Sequence, residues 1–507
     1  MKRVFTALAA VMMLIITGCS KSEKLVIMHT NDVHGNVIVE HAEDRGGMLR
    51  AKVVIDSIRN AEENTMLIDA GDDVQGFLYF TLFGGKVEYT LMDKMGYDII
   101  IPGNHEFDNG VDSLASNYKN INTEILCANY DFENPYLKER VKPYSIKEFG
   151  GKRIAFIGVG CHFEGLVLAK NAAGVKYTNA LQITDSIAGA LKASKQADYA
   201  IAVTHIGYSS KYDLPNDSAM AVNSRYIDVI IGGHSHTTVK PGNKGENAPI
   251  LNNLDGKPVL IGQTGAFGKS MGKITIDLND LSKLPEYELI PIDSKYDSRI
   301  DPELKEWVEP YEKEVQALNS QVIGQTDVAF ADINESVLPN FVTDMIYDIA
   351  SSLTPRKVDF AIGNMGGIRH PMPKGDISAG FIMSMLPFPN CVLVMEISGK
   401  DLKEALDVMA RRGGDALSKQ ITVGMKDGKA AKVSLNGKDI DPNRTYLIAT
   451  IDYLANGGDH MTPLTRGKVI RTSDHLFKFD AVDYIKAITA RGEKLMGDST
   501  QRMYYVK

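Results

Sequence analysis

The chain has 507 residues, of which 44% are hydrophobic and 24% charged, and its formal net charge is -8. That length exceeds one ordinary domain, and the composition can build sizeable cores, which excludes a wholly disordered chain. A mildly acidic balance lacks the basic face of a nucleic-acid scaffold. It does not exclude a small anionic substrate, because a bound cation reverses the local field.

The first element is a targeting segment. A short basic region, MKR, precedes the apolar run VFTALAAVMMLIIT, which ends at Gly18-Cys19. The run falls short of the roughly 20 apolar residues of a membrane span. Its ending, IITGC, resembles a bacterial lipoprotein signal, in which Cys19 becomes the lipidated first residue of an exported chain. Residues 1–19 are then the signal peptide and 20–24 a tether. The remaining cysteines, Cys127, Cys161 and Cys391, are too few and too scattered for a disulfide framework and read as small apolar residues.

From Leu25 onward, short apolar runs alternate with amphipathic stretches. KLVIMHT, NTMLIDAGD, YDIIIPGN, RIAFIGVG, YAIAVTHIG and DVIIGGHSH read as buried strands that end in polar loops. Helical patterns such as GGMLRAKVVIDSIRNAEEN lie between them, which predicts an α/β layered domain over residues 25–295. The charged stretch DPELKEWVEPYEKEVQALNSQ predicts an interdomain helix within 296–325, broken or kinked at Pro310. A second α/β unit follows over 326–507. It contains VDFAIGNMGGIRH, the strand-rich NCVLVMEISG, a turn-rich region near Gly413 to Gly437, and RTYLIATIDYLANGGDH.

The strand ends carry the chemistry. In order they present Asp32-x-His34, Gly71-Asp72, Gly103-Asn104-His105, Thr204-His205 and Gly233-His234-Ser235-His236. Oxygen and imidazole donors without thiolate suit zinc, manganese or iron. Seven donors exceed one tetrahedral ion but suit two ions sharing a carboxylate. Sheets of this kind place their ligands at the C-terminal ends of strands.

These motifs carry a resemblance. D-x-H, GD, GNH, H and GH-x-H together resemble the calcineurin-like metallophosphoesterases. MHTNDVHG, GNHEFDNG and GGHSH more closely resemble the 5′-nucleotidase family, over nearly all of the mature chain. The resemblance implies a layered β-sandwich catalytic domain flanked by helices and joined to a nucleotide-binding C-terminal domain. It implies two divalent metals, with Zn, Mn, Co and Mg left open. Asp32, His34 and His236 would hold the first; Asn104, His205 and His234 the second; Asp72 would bridge them. His105 and Asp108 would be the catalytic pair, while Glu106 reads as solvated or structural and His29 as structural.

The second domain would select the substrate. GNMGGIR resembles the family's NGGGIR loop and gives Asn364, Gly366, Gly367 and Arg369 as contacts. Glycine-rich backbone with an arginine is a sound receptor for phosphate or ribose oxygens. LPF and YLANGGD supply Phe388, Tyr453 and Asp459. In the family the two aromatic positions sandwich the base and the carboxylate holds the ribose. The chain departs from the family in DINESVLPN, where Asp332 replaces the usual arginine, Val337 an asparagine and Pro339 a glycine. NMGGIR and LPFPN are further departures.

The expected function is hydrolysis of 5′-nucleotides to nucleoside and phosphate. The rivals are a 2′,3′-cyclic-nucleotide phosphodiesterase, a UDP-sugar pyrophosphatase or a broad phosphoesterase. From another class comes a lipid-anchored binder of nucleosides or sugars, which would have no use for His105 and Asp108.

Overall fold

The computed structural model describes residues 23–38, 44–210, 214–330 and 336–506. The signal segment with Cys19, and Asp332, lie outside these residues. Among the described residues no helix is long and apolar enough to cross a membrane.

Two six-stranded sheets form the N-terminal part. The first runs, edge to edge, through Glu286–Pro291, Ser270–Asp277, Lys24–Thr30, Thr65–Asp69, Ile99–Ile100 and Glu124–Ile125. The second runs through Ile250–Asn252, Pro258–Gly262, Val229–Gly232, Tyr199–His205, Lys152–Gly160 and Tyr144–Phe149. The expected strands are all present, and Lys24–Thr30 is the whole of the run KLVIMHT.

Alternation along each strand explains the layering. Leu25, Ile27, Met66, Ile68, Phe156, Ile201, Val203 and Ile231 point into one core between the sheets. Met28 and Leu67, on the opposite face, pack with the helices Met48–Ala61 and Lys86–Met95. Ala200, Ala202 and Ile230 pack with Ala180–Ala193 and Asp217–Asn223. A strand buried on both faces needs an unbroken apolar run, as these have. The result is a four-layer α/β/β/α sandwich.

The inner strands of both sheets are parallel: Lys24–Thr30 with Thr65–Asp69, then Ile99–Ile100, and Lys152–Gly160 with Tyr199–His205, then Val229–Gly232. The polar loops that follow these strands therefore emerge along one edge of the sandwich. Sequence motifs separated by up to two hundred residues meet there.

His29 is buried inside the first sheet, where a Cβ on Gly272 would lie 1.9 Å from its Nε2. Only glycine leaves room for the ring. Its pKa is pushed down to about 3 by burial, so it is a neutral core residue, as expected of a structural histidine.

Helix Pro302–Asn319 joins the two parts. Asp301 caps it by accepting from the Glu303 N–H, with Pro302 in the first turn. The expected break at Pro310 does not occur, since the helix continues through it. Pro310 and Glu306 both face solvent, so water can satisfy the Glu306 carbonyl that loses its partner.

The C-terminal part holds two four-stranded sheets and one two-stranded sheet. The strands Phe360–Ala361, Thr445–Ile451, Val392–Ser398 and Lys468–Thr472 form the first of these, covered by helices Val337–Ser352 and Gly399–Arg411. Val337 and Pro339 begin the former helix. The stretch read as turn-rich is instead an antiparallel hairpin, Ile421–Lys426 with Lys429–Leu435. Asp427 and Gly428, at φ 50° and 68°, make the tight turn whose twist matches paired strands.

The two parts are pinned together beside the loop edge. The Tyr79 hydroxyl donates to Glu312 of the joining helix, and Tyr311 meets the ring of Phe83 at 5.0 Å. The buried Lys478 ammonium donates to the Thr81 hydroxyl at 3.1 Å and to the Pro387 carbonyl.

Candidate metal centre and substrate cleft

The loop edge gathers the seven expected metal ligands. Asp32, His34, Asp72, His234 and His236 all have left-handed backbones, with φ between 51° and 79°. Such conformations cost free energy in residues other than glycine and persist only where the surroundings impose them. Here they turn each side chain inward against the neighbouring strand end.

Two donor groups result. In the first, His34 Nε2 and His236 Nε2 lie 2.9 Å apart, and His236 Nε2 is 3.5 Å from Asp32 Oδ1. In the second, His205 Nε2 is 3.1 Å from Asp72 Oδ2, and His234 Nδ1 is 2.9 Å from Asn104 Oδ1. Asp32, His34 and His236 could hold one ion; Asp72, His205 and His234 another. Asp72 also groups with His34 and His105, which places its carboxylate between the two sets.

The protonation states fit a cation. Burial pushes His34 well below its ordinary pKa, His234 to about 3 and His236 to about 4, so these imidazoles are neutral with lone pairs to offer. His205 Nδ1 donates to the Ala70 carbonyl at 2.7 Å, which leaves Nε2 as the donor atom towards Asp72. Burial works against a charge on His205, but the Asp72 carboxylate outweighs it and pushes the pKa up to about 10. A proton there occupies the place that a divalent ion would take. Burial raises Asp32 to about 7, the cost of a carboxylate without a full counter-charge. Buried carboxylates grouped with neutral imidazole nitrogens are a donor set for divalent metal.

GNHEFDNG is a short 3₁₀ turn, His105–Phe107, that follows the strand Ile99–Ile100. The turn brings His105 Nδ1 to 2.9 Å from Asp108 Oδ2. The His105 N–H donates to Asp72 Oδ1 at 2.9 Å. Burial alone would lower the His105 pKa, but Asp72 and Asp108 together raise it above the ordinary value. Glu106 is not solvated. Its buried carboxylate accepts main-chain N–H groups from Asp72, Asp73 and Gly103, at 3.1, 3.0 and 2.6 Å. It ties the Asp72 loop to the Asn104 loop.

A cleft of about 350 Å³ opens over these residues. One wall carries Asp72, Asn104, His105, Asp108, His234 and His236. The other carries Asn364, Gly366, Gly367, Arg369, Phe388, Tyr453 and Asp459, so every residue expected to contact substrate lines it. Asp32, His34 and His205 lie beneath, fully buried. Phe388 bridges the walls: its ring is 5.6 Å from His105, and the Arg369 guanidinium is 5.7 Å from its centroid. Asp459 accepts from Asn364 Nδ2 at 3.0 Å and from the Tyr453 hydroxyl at 3.1 Å, and pairs with Arg412 at 3.1 Å. The single proton of the Tyr453 hydroxyl is shared between Asp459 and the Gly165 carbonyl, which lies closer, at 2.6 Å, across the cleft.

Leu166, Leu168, Asn171 and Asn390 also line the cleft, and Arg412 supports it. The sequence reading missed them. Asn390 ends the LPFPN segment, two residues beyond Phe388, and could have been found there. The others sit in loops with no local pattern to mark them.

Comparison with known proteins agrees with this geometry. Residues 25–238 match the calcineurin-like phosphoesterase family, and residues 322–466 match the 5′-nucleotidase C-terminal domain. The chain thus carries a calcineurin-like phosphoesterase domain followed by a 5′-nucleotidase C-terminal domain. It is 27% identical over 519 residues to a 5′-nucleotidase of Vibrio vulnificus, covering 91% of each chain. It is 27% identical over 498 residues to the trifunctional nucleotide phosphoesterase of Bacillus subtilis, covering 87% of this chain but 32% of that longer protein. The crystal structure of a 5′-nucleotidase precursor from Thermus thermophilus superimposes with a TM-score of 0.82 at 25% identity, covering 96% of this chain and 99% of that one. The calcineurin-like phosphoesterases use divalent metals, which accords with the two donor groups.

Glu106 yields a test of this 5′-nucleotidase site. Glu106→Gln turns an amide N–H towards main-chain donors. Leaving such buried groups unpaired costs about 1–3 kcal/mol. We expect a lower denaturation midpoint together with weaker metal binding by calorimetry. Unchanged values of both would show that the carboxylate does not hold the ligand loops.

Proposed function

We propose that the protein is a two-metal phosphohydrolase whose principal substrates are 5′-nucleotides, cleaved to nucleoside and inorganic phosphate. One observation carries this reading: the two donor groups and the Asn364–Arg369, Phe388, Tyr453 and Asp459 set face each other across a single cleft. Asp32, His34 and His236 would hold one ion, and Asn104, His205 and His234 the other, with Asp72 shared. Such ions neutralise phosphoryl oxygens and lower the pKa of water.

The chain's own residues supply the rest. Arg369, a cation among Asp72, Asp108 and Asp32, would bind the phosphate oxygens. Phe388 and Tyr453 would stack the base, and Asp459 would accept from the ribose. In hydrolysis, water oxygen adds to phosphorus and the bond from phosphorus to O5′ breaks, so O5′ must gain a proton. His105 donates its Nδ1–H to Asp108 and can present a second N–H to the leaving oxygen. Asp108 favours that protonated form.

A second reading, a phosphoesterase of wider range that includes cyclic nucleotides or UDP-sugars, is favoured by one feature. Asp332 stands where the family has an arginine. The trifunctional name of the Bacillus subtilis relative is in keeping with it. We also propose that the protein is exported and anchored through lipid on Cys19, on the strength of the MKR-apolar-Gly-Cys segment alone.

Chelation should abolish phosphate release, and added Mn²⁺, Zn²⁺ or Co²⁺ should restore it. Full turnover in excess chelator would remove the two-metal mechanism.

Replacing both Phe388 and Tyr453 by Ala should raise KM for AMP about tenfold or more, since stacking contributes about 1–3 kcal/mol per base. An aryl phosphate should be much less affected. Equal effects on the two substrates would favour the wider-range reading.

For Cys19, metabolic labelling with a fatty acid should mark the native chain and not Cys19→Ser. Equal labelling of both would exclude lipidation at that residue.

A further inference from the structure

Gln75 lies in the loop that carries Asp72, and its environment is unusual for a polar residue. It is 1% exposed, and its backbone is left-handed at φ 72°. A residue with a side chain adopts that conformation only when other contacts hold it there. The next residue allows little slack, because a Cβ on Gly76 would lie 3.2 Å from both Cβ and the carbonyl oxygen of His34.

The side-chain amide has a defined orientation. Gln75 Oε1 accepts the Gly76 N–H at 2.7 Å. Nε2 is therefore the end that faces Asp108, and it donates to Asp108 Oδ2 at 2.9 Å. The same oxygen accepts from His105 Nδ1, also at 2.9 Å. Two donors thus converge on a single carboxylate oxygen.

We infer that Gln75 is a positioning residue that orients Asp108 towards His105, extending the pair to a Gln75–Asp108–His105 relay of hydrogen bonds. This rests on the reading of His105 and Asp108 as the catalytic pair. Without Gln75, Asp108 is free to rotate about its side-chain bonds and lose the line to Nδ1. With it, the carboxylate keeps its line to Nδ1, and the amide serves only to orient. The strained backbone serves the same end, since it brings the amide under Asp108 from the neighbouring strand's loop. The relay also locks the Asp72 loop to the Asp108 loop on the cleft side, opposite the tie made by Glu106.

The consequence is specific to the leaving group. Proton donation matters most when the departing oxygen is a poor leaving group such as a nucleoside alkoxide. It matters little for a nitrophenolate. The test compares AMP with p-nitrophenyl phosphate for the metal-loaded wild type, Gln75→Gly, Gln75→Glu and His105→Ala. Gln75→Gly relieves the left-handed backbone while removing the amide. Gln75→Glu keeps the length but sets an acceptor against Asp108.

We expect both Gln75 variants to lower kcat on AMP by about 10- to 100-fold, within the range that a positioned acid contributes. On the aryl phosphate the drop should be no more than about threefold, with KM and metal stoichiometry unchanged. If His105→Ala shows the leaving-group dependence and both Gln75 variants do not, the role of Gln75 is overturned while the pair stands. If His105→Ala itself affects both substrates equally, the catalytic pair is wrong and the relay falls with it. A fall in metal content in the Gln75 variants would make the residue a scaffold of the Asp72 loop and also overturn the inference.

Discussion

The structure depends on the charge of Asp72. Its carboxylate is buried at the edge of the sandwich, where an isolated anion costs several kcal/mol or more. Burial pushes against that charge, yet the imidazoles of His205 and His105 hold its pKa well below the carboxylate range. Each comes from a different strand end. The parallel registers align those ends, and the left-handed backbones turn the side chains inward. Neutral His234 and His236 complete a pocket that a proton on His205 satisfies only in part. The register and the left-handed loops together bring the partners of one buried carboxylate into reach of it.

The layered architecture and the gathering of the seven donor side chains at one edge were legible in the sequence because both rest on local pattern. Unbroken apolar runs can only be strands buried on two faces. Asp32, His34, Asp72, Asn104 and His105 follow such runs within a few residues. The hairpin 421–435 was less legible, because lysines and alanines diluted its alternation and the Asp427-Gly428 turn was absorbed into a glycine-rich stretch. Pro310 misled for a different reason: a helix breaks at proline when the freed carbonyl is buried, and here Glu306 is wet.

The supporting residues were not legible at all. Gln75, Glu106 and Arg412 each have a partner 33 or more residues away in the chain, as the bonds Gln75–Asp108, Glu106–Asp73 and Arg412–Asp459 show. No spacing rule predicts such contacts. For Glu106 the sequence left a solvated and a structural role open, because acidic residues in polar loops are usually exposed. Only the register of the strands shows three main-chain N–H groups converging on it.

The walls of the cleft come from opposite ends of the chain, and this division of labour bears on how the protein can change. Residues that would hold metal lie within 32–236, whereas those expected to read the substrate lie within 364–459. The departures from the family pattern, in DINESVLPN, NMGGIR and LPFPN, all lie beyond residue 331, outside the stretch of the metal ligands. Substitutions there can alter what is recognised while leaving the buried charges of the first untouched. The fold thereby separates two kinds of mutational risk: an error in one wall removes reactivity, and an error in the other redirects it. A chain built this way can explore new phosphoesters without passing through an inactive intermediate.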